Sequence, residues 1–310
     1  MNNKLKNIEI NELLNILEKE DDKDFFVKTN KIPDSESLYK KFEKYINPDK
    51  ISNKAVLGID IYKYGSFDTF RQSLIPFLFR LLYNETISLC LTANQFIFQK
   101  HKKEDFEKAF IDTGDGGFQI FETPLHALVF NVMFESVLRT YNSFHLYPRL
   151  RNIIGPISLR YAMTYDKIYA FNNNYYGSAI INNTRILSKD TLDRCLVDTG
   201  TYNWFLLSVN GFENLQIITL NEISSIYEFS EYNKKYIKNG VNVTFTNEYS
   251  REIGIVNSDI LKIGRIQSKE SELSIYNLHL QVILHIGDEN DINNKKIFTI
   301  SLGNLNTTGI

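Results

Sequence analysis

The stretch FIDTGDGGFQIF, residues 110–121, sets two short apolar runs on either side of a turn made of Gly114, Asp115, Gly116 and Gly117. Asp-Gly between such runs is a strong short-range hairpin signal, because glycine takes positive φ at no steric cost. The flanks call for burial, so the hairpin belongs to a sheet with a covered face, and its turn carries Asp112 and Asp115 to one end of that sheet. Upstream, KAVLGIDIY (54–62) is an apolar, β-rich run that ends at Asp60. If that run pairs beside the hairpin, Asp60 and Asp115 come to the same end, since paired strands lie about 4.8 Å apart. Two bare carboxylates that close repel each other, and a hard divalent cation with oxygen ligands resolves the repulsion. The hairpin taken alone reads first as an ordinary β-turn.

The rest of the chain sorts around this pair. Residues 5–20 carry apolar positions at helical spacing and predict a peripheral amphipathic helix. SFDTFRQSLIPFLFRLLYNET (66–86) predicts a helix capped by Ser66, and PLHALVFNVMFESVLRTYNSF (124–144) predicts an apolar helix with Pro124 in its first turn. GPISLRYAMTY and KIYAFNN read as two strands, YYGSAIINNTRILSKDTLDRCL as a helix containing Arg185, and TYNWFLLSVNGF and LQIITL as further strands. The order β-α-β-β-α-β-β-α predicts an α+β fold with helices on one side of the sheet. A polar, aromatic stretch at 221–240 marks a boundary, after which NVTFTNE, SIYNLHLQVILHI and KKIFTISLGNL alternate like strands. The expected organisation is a helical extension over 1–50, a main domain over 51–220 and a small β-rich domain over 221–310.

Charge and cysteine usage narrow the function. Lys and Arg number 35 against 37 Asp and Glu, a net charge of −2, so no global field draws the chain to nucleic acid or to an acidic bilayer. Cys90 and Cys195 lie in apolar settings and the five histidines are scattered, which argues against a disulfide scaffold or a zinc site. The charged N-terminus lacks a signal-peptide core, and the apolar run LIPFLFRLLY is interrupted by Arg80. These features predict a cytoplasmic protein that binds neither nucleic acid nor membrane.

Taken together, GIDIYKYGSF, FIDTGDGGFQIF and YYGSAIINNTRIL, in that order and spacing, resemble the catalytic domain of class III nucleotidyl cyclases over roughly residues 50–210. The resemblance implies a ferredoxin-like βαββαβ core and two Mg²⁺ or Mn²⁺ ions per site, held at Asp60, Ile61 and Asp115. Asp112 is an extra acid with a lesser, structural role. It also implies a homodimer with composite sites, in which the helix of one subunit lends Arg185 and an Asn to the metals of the other. The family Asn falls at Ile181, and Asn182 is the nearer substitute because residues three and four apart share a helix face; Asn183 is less well placed.

The positions that read the base depart from the family pattern. Where adenylyl cyclases have a Lys and an Asp, this chain has Ile111 and Asn174, and Tyr62 and Tyr64 follow Asp60 in place of smaller residues. Asn174 offers both donor and acceptor to a base edge, and the two tyrosines would narrow the pocket or would simply pack. The whole pattern looks most like the bacterial pyrimidine cyclases of the Pycsar antiphage systems. That likeness implies a UTP or CTP substrate, a cyclic UMP or cyclic CMP product, and a separate cyclic-nucleotide effector. Lys63 and Arg160 are further candidates for phosphate contact. LKIGRIQSKESELSIYNLHLQVILHI with the terminal FTISLGNLNTTGI is similar to the AGS-C sensor module, which lies at the C-terminal end of some signalling enzymes of bacterial immunity. An adenylyl or guanylyl cyclase with an atypical pocket, and a catalytically silent nucleotide-binding module, remain open as alternatives.

Overall fold

Ala55, Val56, Leu57 and Ile59 are all buried, an unbroken apolar run that marks a strand covered on both faces. They belong to β2 (Ser52–Ile61), which pairs antiparallel with strands on either side of it. The structure is a computed structural model of the full chain and describes residues 7–20, 35–46, 51–172, 174–228, 254–267, 272–286 and 296–310.

After β2 the chain forms helix α3 (Thr69–Ala93), short helix α4 (Lys103–Lys108) and the hairpin β3 (Phe110–Asp112) and β4 (Gly116–Phe121). Helix α5 (Pro124–Asn142), short helix α6 (Pro148–Ile154) and the long strand β5 (Leu159–Phe171) follow. The N-terminal part contributes β1 (Asn7–Ile8), parallel to β5, and helices α1 (Ile10–Glu20) and α2 (Glu36–Tyr45). Across the sheet the order β5-β2-β4-β3, with antiparallel neighbours, is the ferredoxin-like βαββαβ arrangement within an α+β fold, as expected.

Several elements differ from the sequence reading. Asp68, not Ser66, caps α3, its carboxylate accepting the Arg71 N–H at 3.0 Å, while the Ser66 hydroxyl donates to the Lys63 carbonyl at 2.7 Å. The helix runs past Arg80 and is long and apolar enough to cross a membrane by length and composition. Ile75, Leu78, Phe79, Leu82, Tyr83, Ile87 and Cys90 on it are nevertheless buried in the core, which is how a core helix of a soluble fold packs. The two strands expected between 155 and 172 are one continuous strand, β5, and a minor β6 (Asn174–Tyr176) folds back on its end.

Helix α7 (Ser178–Lys189) stops before Cys195, which instead opens β7 (Cys195–Asp198), parallel to β5. TYNWFLLSVNGF is chiefly helix α8 (Thr199–Val209), because Thr201, Phe205 and Val209 are the buried positions and recur every four residues. Asp198 caps it, accepting the Thr201 N–H at 2.8 Å. LQIITL likewise forms a tight turn leading into helix α9 (Leu220–Ile226), not a strand.

Helices cover both faces of the sheet rather than one. Leu57, Ile59 and Ile61 share a core with α3 and α5, whereas Val56 on the opposite face packs with Ala179 of α7. The described C-terminal strands β8 (Gly254–Gln267), β9 (Glu272–Ile286) and β10 (Lys296–Leu302) extend this same sheet. Strand β9 pairs with β7 and β10 along one edge and with β8 along the other. Leu278, Leu280, Val282, Ile300 and Leu302 join the core of β2. Strands β8, β9 and β10 are therefore continuous with the main sheet and core. NVTFTNE and most of the expected boundary segment lie outside the described residues.

Candidate active site

The ladder between β2 and β4 sets Asp60 opposite Gly116, and the Ile61 N–H donates to the Asp115 carbonyl at 3.1 Å. Asp60 and Asp115 thus meet at one end of the sheet, as the hairpin pattern predicts. The turn that carries Asp115 is closed by the Thr113 N–H on the Gly116 carbonyl at 3.1 Å, with Gly114 at φ +96°. Asp112 is exposed and its Oδ1 accepts the Gly114 N–H at 2.8 Å, so it shapes the turn from outside the pair. Ile61 has its side chain in the core, which leaves only its main chain for a ligand.

Asp60 is partly buried and forms an ion pair with Arg160, its neighbour across the β2–β5 ladder. Burial raises the Asp60 carboxyl above the usual carboxylate range, the Arg160 hydrogen bond and charge pull it back, and the nearby Asp115 charge adds to the rise. Arg160 also donates to the Asp190 carbonyl. Among the described residues, no three His, Cys, Asp or Glu side chains group together. The oxygen donors near Asp60 are the two carboxylates and the main chain around them. Asp60 at the end of β2 and Asp115 on the adjacent glycine-flanked turn fit a hard divalent cation, provided that Arg160 yields one Asp60 oxygen.

Helix α7 lies over the face of the sheet that also carries Asp60. Asn183, fully buried, donates through Nδ2 to the carbonyls of Val56 and Ala162, both at 2.9 Å, and so anchors the helix across two strands. With Asn183 facing the sheet, Asn182 and Arg185 lie toward the outer side of α7, and Arg185 Nη1 donates to Asn182 Oδ1 at 3.3 Å. Among the described residues Arg185 forms no ion pair. Its neighbour Ile181 is 53% exposed.

The expected base-reading residues are dispersed. The Tyr62 hydroxyl donates to the Thr191 carbonyl at 3.1 Å, and the exposed Lys63, at φ 57°, holds its ammonium 4.9 Å from the centre of the Tyr62 ring. Tyr64 points the other way, its hydroxyl on the Gln72 carbonyl at 3.1 Å and its ring against the main core. Ile111 belongs to the apolar cluster that includes Val56, Ile120, Ala179 and Tyr175. Asn174 is exposed at the start of β6, and its Oδ1 accepts the Tyr175 N–H at 2.8 Å. Tyr62 therefore stays beside Asp60, Ile111 lies near the α7 face, Asn174 pairs with Phe171 at the other end of β5 from Arg160, and Tyr64 belongs to the packing of α3.

Sequence reasoning missed the turn after α7. Asp190 and Arg194, both buried, form an ion pair at 2.7 Å. Their i, i+4 spacing in KDTLDR is a signal, though one that an exposed helix face shares.

No family model matches the chain, and no curated protein matches it. Among solved structures, the catalytic core of a rhodopsin-guanylyl cyclase with converted specificity in complex with ATPalphaS is similar at 9% identity over 74% of this chain and 96% of that one, TM-score 0.42. The guanylyl cyclase Cya2 is similar at 9% identity over 79% of this chain and 96% of that one, TM-score 0.39. The adenylyl cyclase CyaB from P. aeruginosa is similar at 11% identity over 78% of this chain and 98% of that one, TM-score 0.39.

Proposed function

We propose that the protein is a nucleotidyl cyclase that acts on UTP or CTP as a homodimer in the cytoplasm and makes the cyclic mononucleotide messenger of an antiphage system. The observation that carries this reading is the meeting of Asp60 and Asp115 at one sheet end, with Arg185 and Asn182 on the outer side of α7. Asp60, Asp115 and the main chain at Ile61 would hold two Mg²⁺ or Mn²⁺. Such ions, when bound, make the ribose 3′-hydroxyl more acidic and neutralise the triphosphate.

The residues then divide the work. The 3′-oxygen forms its bond to the α-phosphorus as the bond to the β-phosphate oxygen breaks; pyrophosphate leaves and the hydroxyl proton passes to solvent. Arg185 of one subunit meets the charge that develops on the α-phosphate bound by the other, with Asn182 orienting its guanidinium. Arg160, already beside Asp60, offers its charge to the remaining phosphates. Tyr62 borders the base, Ile111 offers it only an apolar wall, and the Asn174 amide offers a donor and an acceptor for its edge. The C-terminal strands, which resemble a sensor module, receive their input as part of the catalytic sheet.

One observation favours a second reading. The Arg160–Asp60 ion pair neutralises a carboxylate that a cation would otherwise need, as in a module that binds nucleotide without turnover. Incubation with each of the four nucleoside triphosphates and Mn²⁺, followed by mass identification of the product, separates the readings. A cyclic pyrimidine mononucleotide supports the proposal, and a cyclic purine product identifies a cyclase of different specificity. No product, together with nucleotide binding, identifies the silent module.

A further inference from the structure

Residues 304–308 lie against the turn that follows α7. Asn277 of β9 donates through Nδ2 to the Asn304 carbonyl at 2.8 Å and the Asn306 carbonyl at 3.2 Å, laying the segment across the sheet edge. Asn304 Nδ2 donates to the Asp193 carbonyl at 2.8 Å and to its Oδ1 at 3.1 Å. Arg194 Nη1 donates to the Thr308 carbonyl at 2.6 Å and to the Asn306 carbonyl at 3.4 Å.

Arg194 is 1% exposed, and its Nε and Nη2 donate to Asp190 Oδ1 at 2.9 and 2.7 Å. The second Asp190 oxygen is buried without a hydrogen-bond partner, so the buried charge is balanced chiefly by Arg194. The tail carbonyls fill the outer side of that guanidinium. Where the tail sits therefore bears on how Arg194 holds Asp190.

The same turn faces the candidate active site from its other side. The Asp190 carbonyl accepts from Arg160, which pairs with Asp60, and the Thr191 carbonyl accepts from the Tyr62 hydroxyl at 3.1 Å. Two consecutive carbonyls of one turn thus hold the two side chains that flank the end of β2. Contacts of this kind form a contiguous physical path along which a change at one end can bias the other.

We propose that residues 304–308 are a strap: docked on Arg194 they set the 190–194 turn and, through it, Arg160 and Tyr62 beside Asp60, and released they loosen that corner. Arg160 is in this sense a positioning residue whose geometry depends on residues 304–308. That Asp60 and Tyr62 serve a nucleotide rests on the function proposed above, whereas the hold of the strap on the turn does not.

The test is amide hydrogen exchange by mass spectrometry on the full chain, on a chain ending at Gly303, and on Asn304→Ala. The shortened chain is expected to exchange about tenfold faster at 189–194 and at 159–162, with the amides of α5 unchanged, and a synthetic peptide of residues 304–310 should restore protection. Asn304→Ala, which removes one anchor and no strand, should show the same pattern at about threefold. Faster exchange confined to the residues near Asn277 and Gly264, where the tail is in direct contact, overturns the proposal. So does unchanged exchange at 189–194 in Asn304→Ala if the shortened chain unfolds.

The cyclase assay supplies the second arm. Strap removal should raise the KM for the metal–nucleotide complex about tenfold with a smaller change in kcat. A full-length chain that turns over none of the four nucleotides removes the functional reading and leaves the exchange result standing.

Discussion

Asn183 fills the space that a side chain on Gly58 would need: a Cβ added at Gly58 would lie 2.0 Å from Asn183 Oδ1 and 2.7 Å from the Leu187 Cδ1. The close approach lets α7 sit flat on β2, two residues before Asp60, with its other side left for Arg185. The absence of a side chain at Gly58 is thus what fixes the height of the helix over the sheet.

Gly58→Ala should therefore destabilise the fold by about 1–3 kcal/mol, the range for overpacking a filled core. Asn183→Ala should cost a similar amount, because it leaves the Val56 and Ala162 carbonyls without this donor in a buried place. Asn182→Ala, one residue away, should leave stability within about 0.5 kcal/mol and, on the function proposed above, slow cyclic nucleotide formation. Urea denaturation of the three variants checks the contrast, and equal losses at 182 and 183 would contradict it.

Arg160 and Asp60 make a second contrast. In Arg160→Ala the Asp60 carboxylate is left partly buried beside Asp115 with its cationic partner removed. The variant is expected to lose about 1–3 kcal/mol in metal-free buffer, and Mn²⁺ should raise its Tm by more than it raises that of the unmodified chain. Thermal melts with and without Mn²⁺ read this directly. An equal Mn²⁺ response in both proteins would mean that the cation does not bind at Asp60.

The pH dependence of stability should carry the mark of Glu135. Burial pushes its carboxyl up to about 7 from an ordinary 4.5, while the Tyr161 hydroxyl, donating to it at 2.8 Å, offsets part of the rise. Between those two values the folded chain keeps a proton that the unfolded chain has released, so stability falls as pH rises through the window and levels off above about 7. The loss is at most about 3 kcal/mol. Glu135→Gln keeps an acceptor for Tyr161 without the charge and should flatten the slope, which urea midpoints from pH 4.5 to 8 would show. A variant with the same slope would assign it to other groups, Asp198 first, whose carboxyl burial raises to about 6.

The elements that were legible in the sequence are those whose signal is local. The hairpin at 110–121 follows from its turn glycines, β2 from its unbroken apolar run, and α5 from Pro124 at its first position. Helix α8 reads as a strand in the sequence because Tyr, Trp, Phe and Val in TYNWFLLSV favour strands; the deciding features are the Asp198 cap and the four-residue recurrence of Thr201, Phe205 and Val209. Strand β7 is not legible as a strand because Cys195–Asp198 is too short to show a period. At the site, the meeting of Asp60 and Asp115 could be read from strand ends and one turn. The hold of Arg160 on Asp60 and on Asp190 joins residues 100 and 30 positions apart, and no local pattern encodes it.

The most direct test of the central claim is subunit complementation. Arg185→Ala and Asp60→Ala chains, each inactive alone as a homodimer, are mixed and allowed to exchange subunits before cyclic nucleotide formation is measured. Shared sites predict that mixed dimers regain one working site each, so that activity returns toward about one quarter of the unmodified level at equal mixing. A mixture that forms dimers and stays as inactive as its components would contradict an active site built from the Asp60 and Asp115 of one subunit and the Arg185 of the other.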